Sequence, residues 1–257
     1  MPYLDINEAK IYYEDYGRGQ KTLVFIPGIG ASTKMYEPQI NFFKQTFRVI
    51  TLDLRGNGAS SKLNIPVRDT IQKQASDVIE LLRELDIPKS YFIGVSYGGI
   101  VCQTIAFTYP NSVKGLIVVD SFYDTRIRYL GLKYKWASYM AVPFYLLPRK
   151  NLAKLAESTY NDWPTAQKSM KQVILNMRRW ELIKQRIEVN RIKYEPYLKH
   201  IRAPTLIITG DKMPQHWAKK LLESIENSKL VVIKDSFDPS NLCRPNEFNQ
   251  SVFLFVS

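Results

Sequence analysis

At 257 residues and 45% hydrophobic content, the chain can bury one large core, and an α/β fold of this length is commonly one domain. No apolar run approaches the roughly 20 residues of a membrane span, Met1-Pro2-Tyr3-Leu4-Asp5 does not read as a signal peptide, and Cys102 and Cys243 alone cannot build a disulfide framework, so a cytoplasmic protein is expected. The net charge of +12 is concentrated between Ser121 and His200, where 16 Lys/Arg against 6 Asp/Glu leave +10. A surface for acidic ligands, anionic lipid or nucleic acid is one reading of that stretch. Solvated faces of amphipathic helices are the favoured one, because the basic residues are spaced among apolar ones and no nucleic-acid motif accompanies them.

In chain order, Tyr3 to Ile6 and Lys10 to Asp15 read as two short strands joined at Asn7-Glu8, an antiparallel start, and Gly17-Arg18-Gly19-Gln20 is a turn. The apolar strand Thr22 to Ile26 runs into Pro27-Gly28-Ile29-Gly30-Ala31-Ser32, a loop whose backbone amides can face a ligand. Phe47 to Leu52 is a buried strand ending in the turn-rich Asp53-Leu54-Arg55-Gly56-Asn57-Gly58-Ala59-Ser60. Ile71 to Leu85 then carries apolar residues at helical spacing.

The stretch from Tyr91 to Val101 organises the rest. An apolar run stops at Ser96, Gly94 and Gly98 flank it at two residues' distance, and a helical pattern runs from Tyr97 to Tyr109. This is the strand, sharp turn and helix of a nucleophile elbow, where strand and helix approach too closely for side chains at the flanking positions.

Val113 to Val119 is the next strand, ending at Asp120. The 80 residues from 121 to 200 show no clear strand and hold 13 of the 32 aromatic residues, on helical segments such as Asn151 to Thr159 and Thr165 to Arg191. They read as a helical cap inserted into a core formed by residues 1–120 and 201–257. Strands resume at Thr205 to Gly210 and Leu230 to Ile233, with helices at Trp217 to Ile225 and Asn246 to Val256. The alternation predicts a mostly parallel central sheet with helices on both faces.

The elbow at Ser96, the loop Pro27-Gly28-Ile29-Gly30, the Asp53-x-Arg55-Gly56-x-Gly58-x-Ser60 loop and the strand Pro204 to Gly210 match in type, order and spacing. On these motifs the chain resembles the α/β-hydrolase family over essentially its whole length, most closely small bacterial esterases and lactonases with a helical lid. The resemblance implies acyl transfer through a Ser-acid-His triad, with the backbone amides of Ile29 and Tyr97 as the oxyanion hole. It implies no cofactor and no metal.

Three positions depart from the family pattern. The acid slot after Gly210 holds Met213, with Asp211 two residues early; the Gly-His slot after the last strand holds Phe237 and Asp238; and the oxyanion loop begins Pro27-Gly28 where His-Gly is frequent. Of the two histidines, His200 lies at the far end of the Thr205 strand, whereas His216, three residues beyond Met213, is the better-placed candidate base. Asp238, if desolvated by Phe237, Met213 and the aromatic cap, is a carboxylate general base; otherwise it is a helix-capping residue. Asp120 is a displaced triad acid or a pocket-wall group, Asp53 and Arg55 tie down their loop, and Cys243 carries no sign of activation.

Two functions follow as expectations. The first is a serine hydrolase of small esters or lactones acting through Ser96, with low native-type activity. The second is a non-catalytic relative that binds a small apolar or acyl-type ligand under the lid, without nucleic acid or a membrane span. Replacements gathered at the triad positions suit natural loss and deliberate rebuilding equally, and the oligomeric state is left open.

Overall fold

The computed structural model describes residues 2–257. Eight strands form one sheet: β1 (Tyr3–Ile6), β2 (Ala9–Tyr16), β3 (Thr22–Ile26), β4 (Arg48–Leu52), β5 (Ser90–Val95), β6 (Val113–Val119), β7 (Thr205–Gly210) and β8 (Ser228–Ile233). Their spatial order is β1-β2-β4-β3-β5-β6-β7-β8, antiparallel between β1, β2 and β4 and parallel from β4 onward. The expected antiparallel start is present, turning at Asn7 and Glu8 with φ of 49° and 63°, the left-handed pair that matches the twist of a tight hairpin. Every residue of β3 and β7 is buried, which accounts for their unbroken apolar character.

Among the described residues, twelve α-helices accompany the sheet: α1 (Glu37–Phe43), α2 (Thr70–Glu84), α3 (Tyr97–Thr108), α4 (Ile127–Leu130), α5 (Leu132–Phe144), α6 (Arg149–Thr159), α7 (Pro164–Asn176), α8 (Arg179–Val189), α9 (Glu195–Leu198), α10 (Gln215–Ser224), α11 (Ser240–Cys243) and α12 (Pro245–Val256). One apolar cluster joins the sheet to α2, α3 and α10 through residues such as Val78, Leu82, Ile100, Ile105 and Leu221. A second joins its other face to α1 and α12 through Ile40, Phe43, Phe248 and Val252. The sheet is thus covered on both sides.

Chain direction positions the site. From β3 the chain moves outward to β4, and then returns across β3 to β5 on the opposite side. The loops after β3 and β5 therefore diverge, leaving a crevice at the carboxyl ends of these strands, where ligands bind in open α/β sheets. Pro27 to Ser32 and Ser96 sit at this switch point.

Helices α4 to α9 lie between β6 and β7 in the chain. The single helical stretch predicted over Thr165 to Arg191 is divided: Met177 adopts ψ 141° and Arg178 is extended, separating α7 from α8. Tertiary contacts account for the break. The Met177 side chain is buried with Leu152 and Leu182, and its carbonyl accepts a 2.9 Å hydrogen bond from Arg149 Nη2. Helix α8 is fastened to the loop after β4 by Gln185 Nε2 to Asn57 Oδ1 (2.7 Å) and by Glu181 Oε2, which accepts from Leu63 N (2.8 Å).

Within the basic stretch α6 follows the favoured reading, exposing Lys150 and Lys154 and burying Leu152, Ala153 and Ala156, and α5 departs from it. Helix α5 turns Ser138 and half-buried Lys135 inward, whereas Leu132, Trp136, Tyr139, Met140 and Phe144 are exposed. Its solvent face is apolar and aromatic, the reverse of an ordinary amphipathic surface helix.

Candidate active site

Ser96 joins β5 to α3 with φ 53° and ψ −113°, a conformation costly for a residue with a Cβ and typical of a nucleophile held on a sharp turn. The turn is fixed on both sides: Ser96 N donates to Val119 O (2.8 Å), and Ser96 O accepts from Ser121 Oγ (2.8 Å) and Gly99 N (3.0 Å). Packing explains the flanking glycines. A Cβ on Gly94 would lie 2.2 Å from Gly98 O, and one on Gly98 would lie 2.0 Å from Ile26 O.

The loop after β3 runs beside this turn, and a Cβ built on Gly28 would lie 3.9 Å from Ser96 Cβ. Tyr97 occupies the first position of α3, so its N–H has no intrahelical acceptor and is available at the elbow. Its side chain points away, buried in the core, where its hydroxyl donates to Gln74 Oε1 (2.6 Å). Ile29 is half-buried and borders the cavity together with Gly28. Pro27 lies buried behind that loop.

The cavity above Ser96 measures about 90 Å³. Gly28, Ile29, Ala31, Met35 and Val95 line it from the sheet side, and Met170 and Val173 of α7 and Tyr160 close it from the segment between β6 and β7. Its polar side chains are few: the Ser96 hydroxyl, the Tyr160 phenol and the Asp238 carboxyl.

Asp238 and Ser96 line the same cavity, and Tyr160 Oη donates to the Asp238 backbone carbonyl at 2.7 Å. Burial raises the Asp238 pKa to about 8; the negative charge of Asp120 adds to the rise and the nearby Ser96 side chain opposes it. Asp120, at the end of β6, is held by Ser240 N (2.6 Å), Ser240 Oγ (3.0 Å) and Gly210 N (3.0 Å). Burial raises it too, while these donors pull it back down. The two carboxyls titrate as a linked pair, with the proton resting on Asp238, because three donors hold Asp120.

The other candidates lie elsewhere. His216 is exposed on α10 beside Trp217, with ring centres 5.4 Å apart, and is not in the cavity wall. His200 is exposed before β7. Met213 closes the turn after β7, its N–H donating to Gly210 O (3.0 Å), and Asp211 receives Ser236 N (3.1 Å). Phe237 is half-buried, its ring 6.3 Å from that of Tyr160, and packs against the second apolar cluster. Asp53 and Arg55 serve their loop: Asp53 accepts from Thr33 N and Ala59 N (2.7 Å each), and Arg55 Nε donates to buried Asp77 (2.8 Å). Burial pushes the Cys243 thiol up to about 12, which keeps it protonated and inert. Among the described residues, no group of three His, Cys, Asp or Glu could hold a metal ion.

Sequence reasoning missed Ser240, Tyr160, Met170 and Val173. Ser240 reaches Asp120 across 120 positions of chain, and the other three come from the segment between β6 and β7, whose docking no local pattern reports.

A family model described as alpha/beta hydrolase fold matches residues 21–241. Among curated proteins, 3-oxoadipate enol-lactonase 2 of Acinetobacter baylyi is 27% identical over 263 residues, covering 97% of this chain and 94% of its own. Serine hydrolase BPHL of Mus musculus is 26% identical over 266 residues, covering 98% of this chain and 84% of its own. Among solved structures, an esterase from Exiguobacterium antarcticum superposes with a TM-score of 0.87 at 21% identity over 99% of this chain and 98% of that one. Among the described residues, no helix is long and apolar enough to cross a membrane. With the strained serine at the switch point of an eight-stranded sheet, and a family model matching from β3 through α11, this chain belongs to the α/β-hydrolase fold family.

Proposed function

We propose that the chain is a serine acyl hydrolase for small apolar esters or lactones, in which Asp238 takes the place of the histidine base. The observation that carries this reading is that Ser96 and Asp238 line the same small, mostly apolar cavity, in which burial raises the Asp238 carboxyl. The hydrolase and lactonase activities of the relatives support the reaction class.

An exposed aspartate, with a pKa near 3.9, is too weak to deprotonate a serine. Desolvation changes this. A carboxylate whose conjugate acid has a pKa of about 8 is at least as basic as imidazole. In the acylation step Ser96 Oγ attacks the substrate carbonyl carbon, its proton passes to the Asp238 carboxylate, and the backbone amides of Ile29 and Tyr97 receive the developing oxyanion. Collapse of the adduct returns that proton to the departing alkoxide. Water then attacks the acyl-serine, gives its proton to Asp238, and releases the acid as Ser96 regains it.

The cost of this arrangement is pH. Near neutrality Asp238 is mostly protonated and its serine is idle, so turnover is low. Short-chain p-nitrophenyl ester hydrolysis should rise about tenfold per pH unit from pH 6 and level off near pH 8 to 9. Ser96→Ala should abolish it, and Asp238→Asn should remove the pH-dependent part. Absence of turnover at pH 9, with a small acyl ligand still stabilising the fold, would assign the protein to the non-catalytic, ligand-binding alternative.

A further inference from the structure

The outer face of α5 is unusual in both composition and charge. Trp136 is 64% exposed and Met140 58%, and Leu132, Tyr139, Leu146 and Leu147 are exposed beside them in the chain. The inward face carries the polar contacts instead: Lys135 Nζ donates to Asn190 O (2.8 Å) and Arg186 Nη2 to Ser138 Oγ (3.1 Å). From Thr125 to Ala156 the chain has seven Lys/Arg and no Asp or Glu. Of these, Lys133, Arg149, Lys150 and Lys154 are exposed, before and after the apolar stretch.

We infer that this face of the inserted helices docks on an anionic phospholipid surface. An outward helix with Trp, Tyr, Met and Leu, bracketed by basic side chains, places apolar groups at the headgroup boundary and cations among the phosphates. Charge decides against a second copy of this chain as the occupant: in a two-fold contact the same basic residues would face one another. It decides equally against a neutral bilayer, which offers those cations nothing. Tyr145, which directly follows α5, packs against the cluster of Leu152, Met177 and Leu182, against which Ile29 of the loop after β3 also packs. The cavity itself suits a short acyl group, and docking therefore localises the protein at an interface rather than extracting a long lipid chain.

The test is co-sedimentation of the purified protein with phosphatidylglycerol/phosphatidylcholine vesicles and with pure phosphatidylcholine vesicles, with tryptophan emission followed alongside. The expected result is binding to anionic vesicles only, weakened by salt, with a blue shift. Trp136→Ala with Met140→Ser should weaken binding at least tenfold, and Lys133→Gln with Lys150→Gln about as much, with unchanged circular dichroism because all four residues are exposed. The inference is overturned by no binding to anionic vesicles, by equal binding of the variants, or by a solution dimer that Trp136→Ala dissociates.

Discussion

Substituting Met213→Asp and Asp238→His together is expected to raise kcat/KM for a short p-nitrophenyl ester at pH 7 by about 10³-fold or more. A histidine at position 238 would stand in the wall of the cavity that Ser96 also lines, and an imidazole is largely unprotonated at pH 7 where the present carboxyl is largely protonated. An acid is still needed to orient it. Met213→Asp supplies one on the turn after β7, while Asp120, clamped by Ser240 and Gly210, is already at the end of the neighbouring strand. The Asp238→His single variant separates these sources: near-complete recovery names Asp120 as the orienting carboxylate, and recovery only in the double variant names position 213. A folded double variant with no gain would contradict the alignment of the site.

Asp238→Asn is expected to raise the thermal midpoint at pH 9 by several degrees while changing it little at pH 5. The folded-state pKa of Asp238, about 8, lies above the unfolded value near 4, so the folded protein binds the extra proton between those limits. That stabilisation is fully present below about pH 4 and is lost as pH rises through about 8. Removing the ionisable group removes the loss, on the order of a few kcal/mol. Asp120 and Asp53, also raised by burial, leave a shallower decline of the same sign in the variant. Tyr160, Tyr145 and Cys243 feel the Asp238 charge and are themselves held protonated by burial, so they add no competing ionisation across this range. Thermal unfolding at pH 5, 7 and 9 checks the sign directly.

Much of the architecture was legible because the sequence enforces it locally. The buried strands are unbroken apolar runs, and the glycines around Ser96 are dictated by contacts near 2 Å that any Cβ would make. The resemblance to the family puts Asp238 in the histidine slot after the last strand, and it lines the cavity with Ser96. What required coordinates depends on distant chain. The break at Met177 arises from its burial against Leu152 and Leu182, and the anchoring of Asp120 comes from Ser240. His216 was the nearest histidine by sequence, yet the helix it begins turns the ring outward beside Trp217. The period of α5 likewise defines two faces, but only packing reveals that the apolar one points to solvent.

The most direct measurement of the central claim is the rate at which a fluorophosphonate labels Ser96, read by intact mass at pH 6 and pH 9 with Ser96→Ala as control. If the Asp238 carboxylate activates the serine, labelling is slow at pH 6, about 90-fold faster at pH 9, and absent in the control. Equal rates at the two pH values, or no labelling at pH 9, would contradict it.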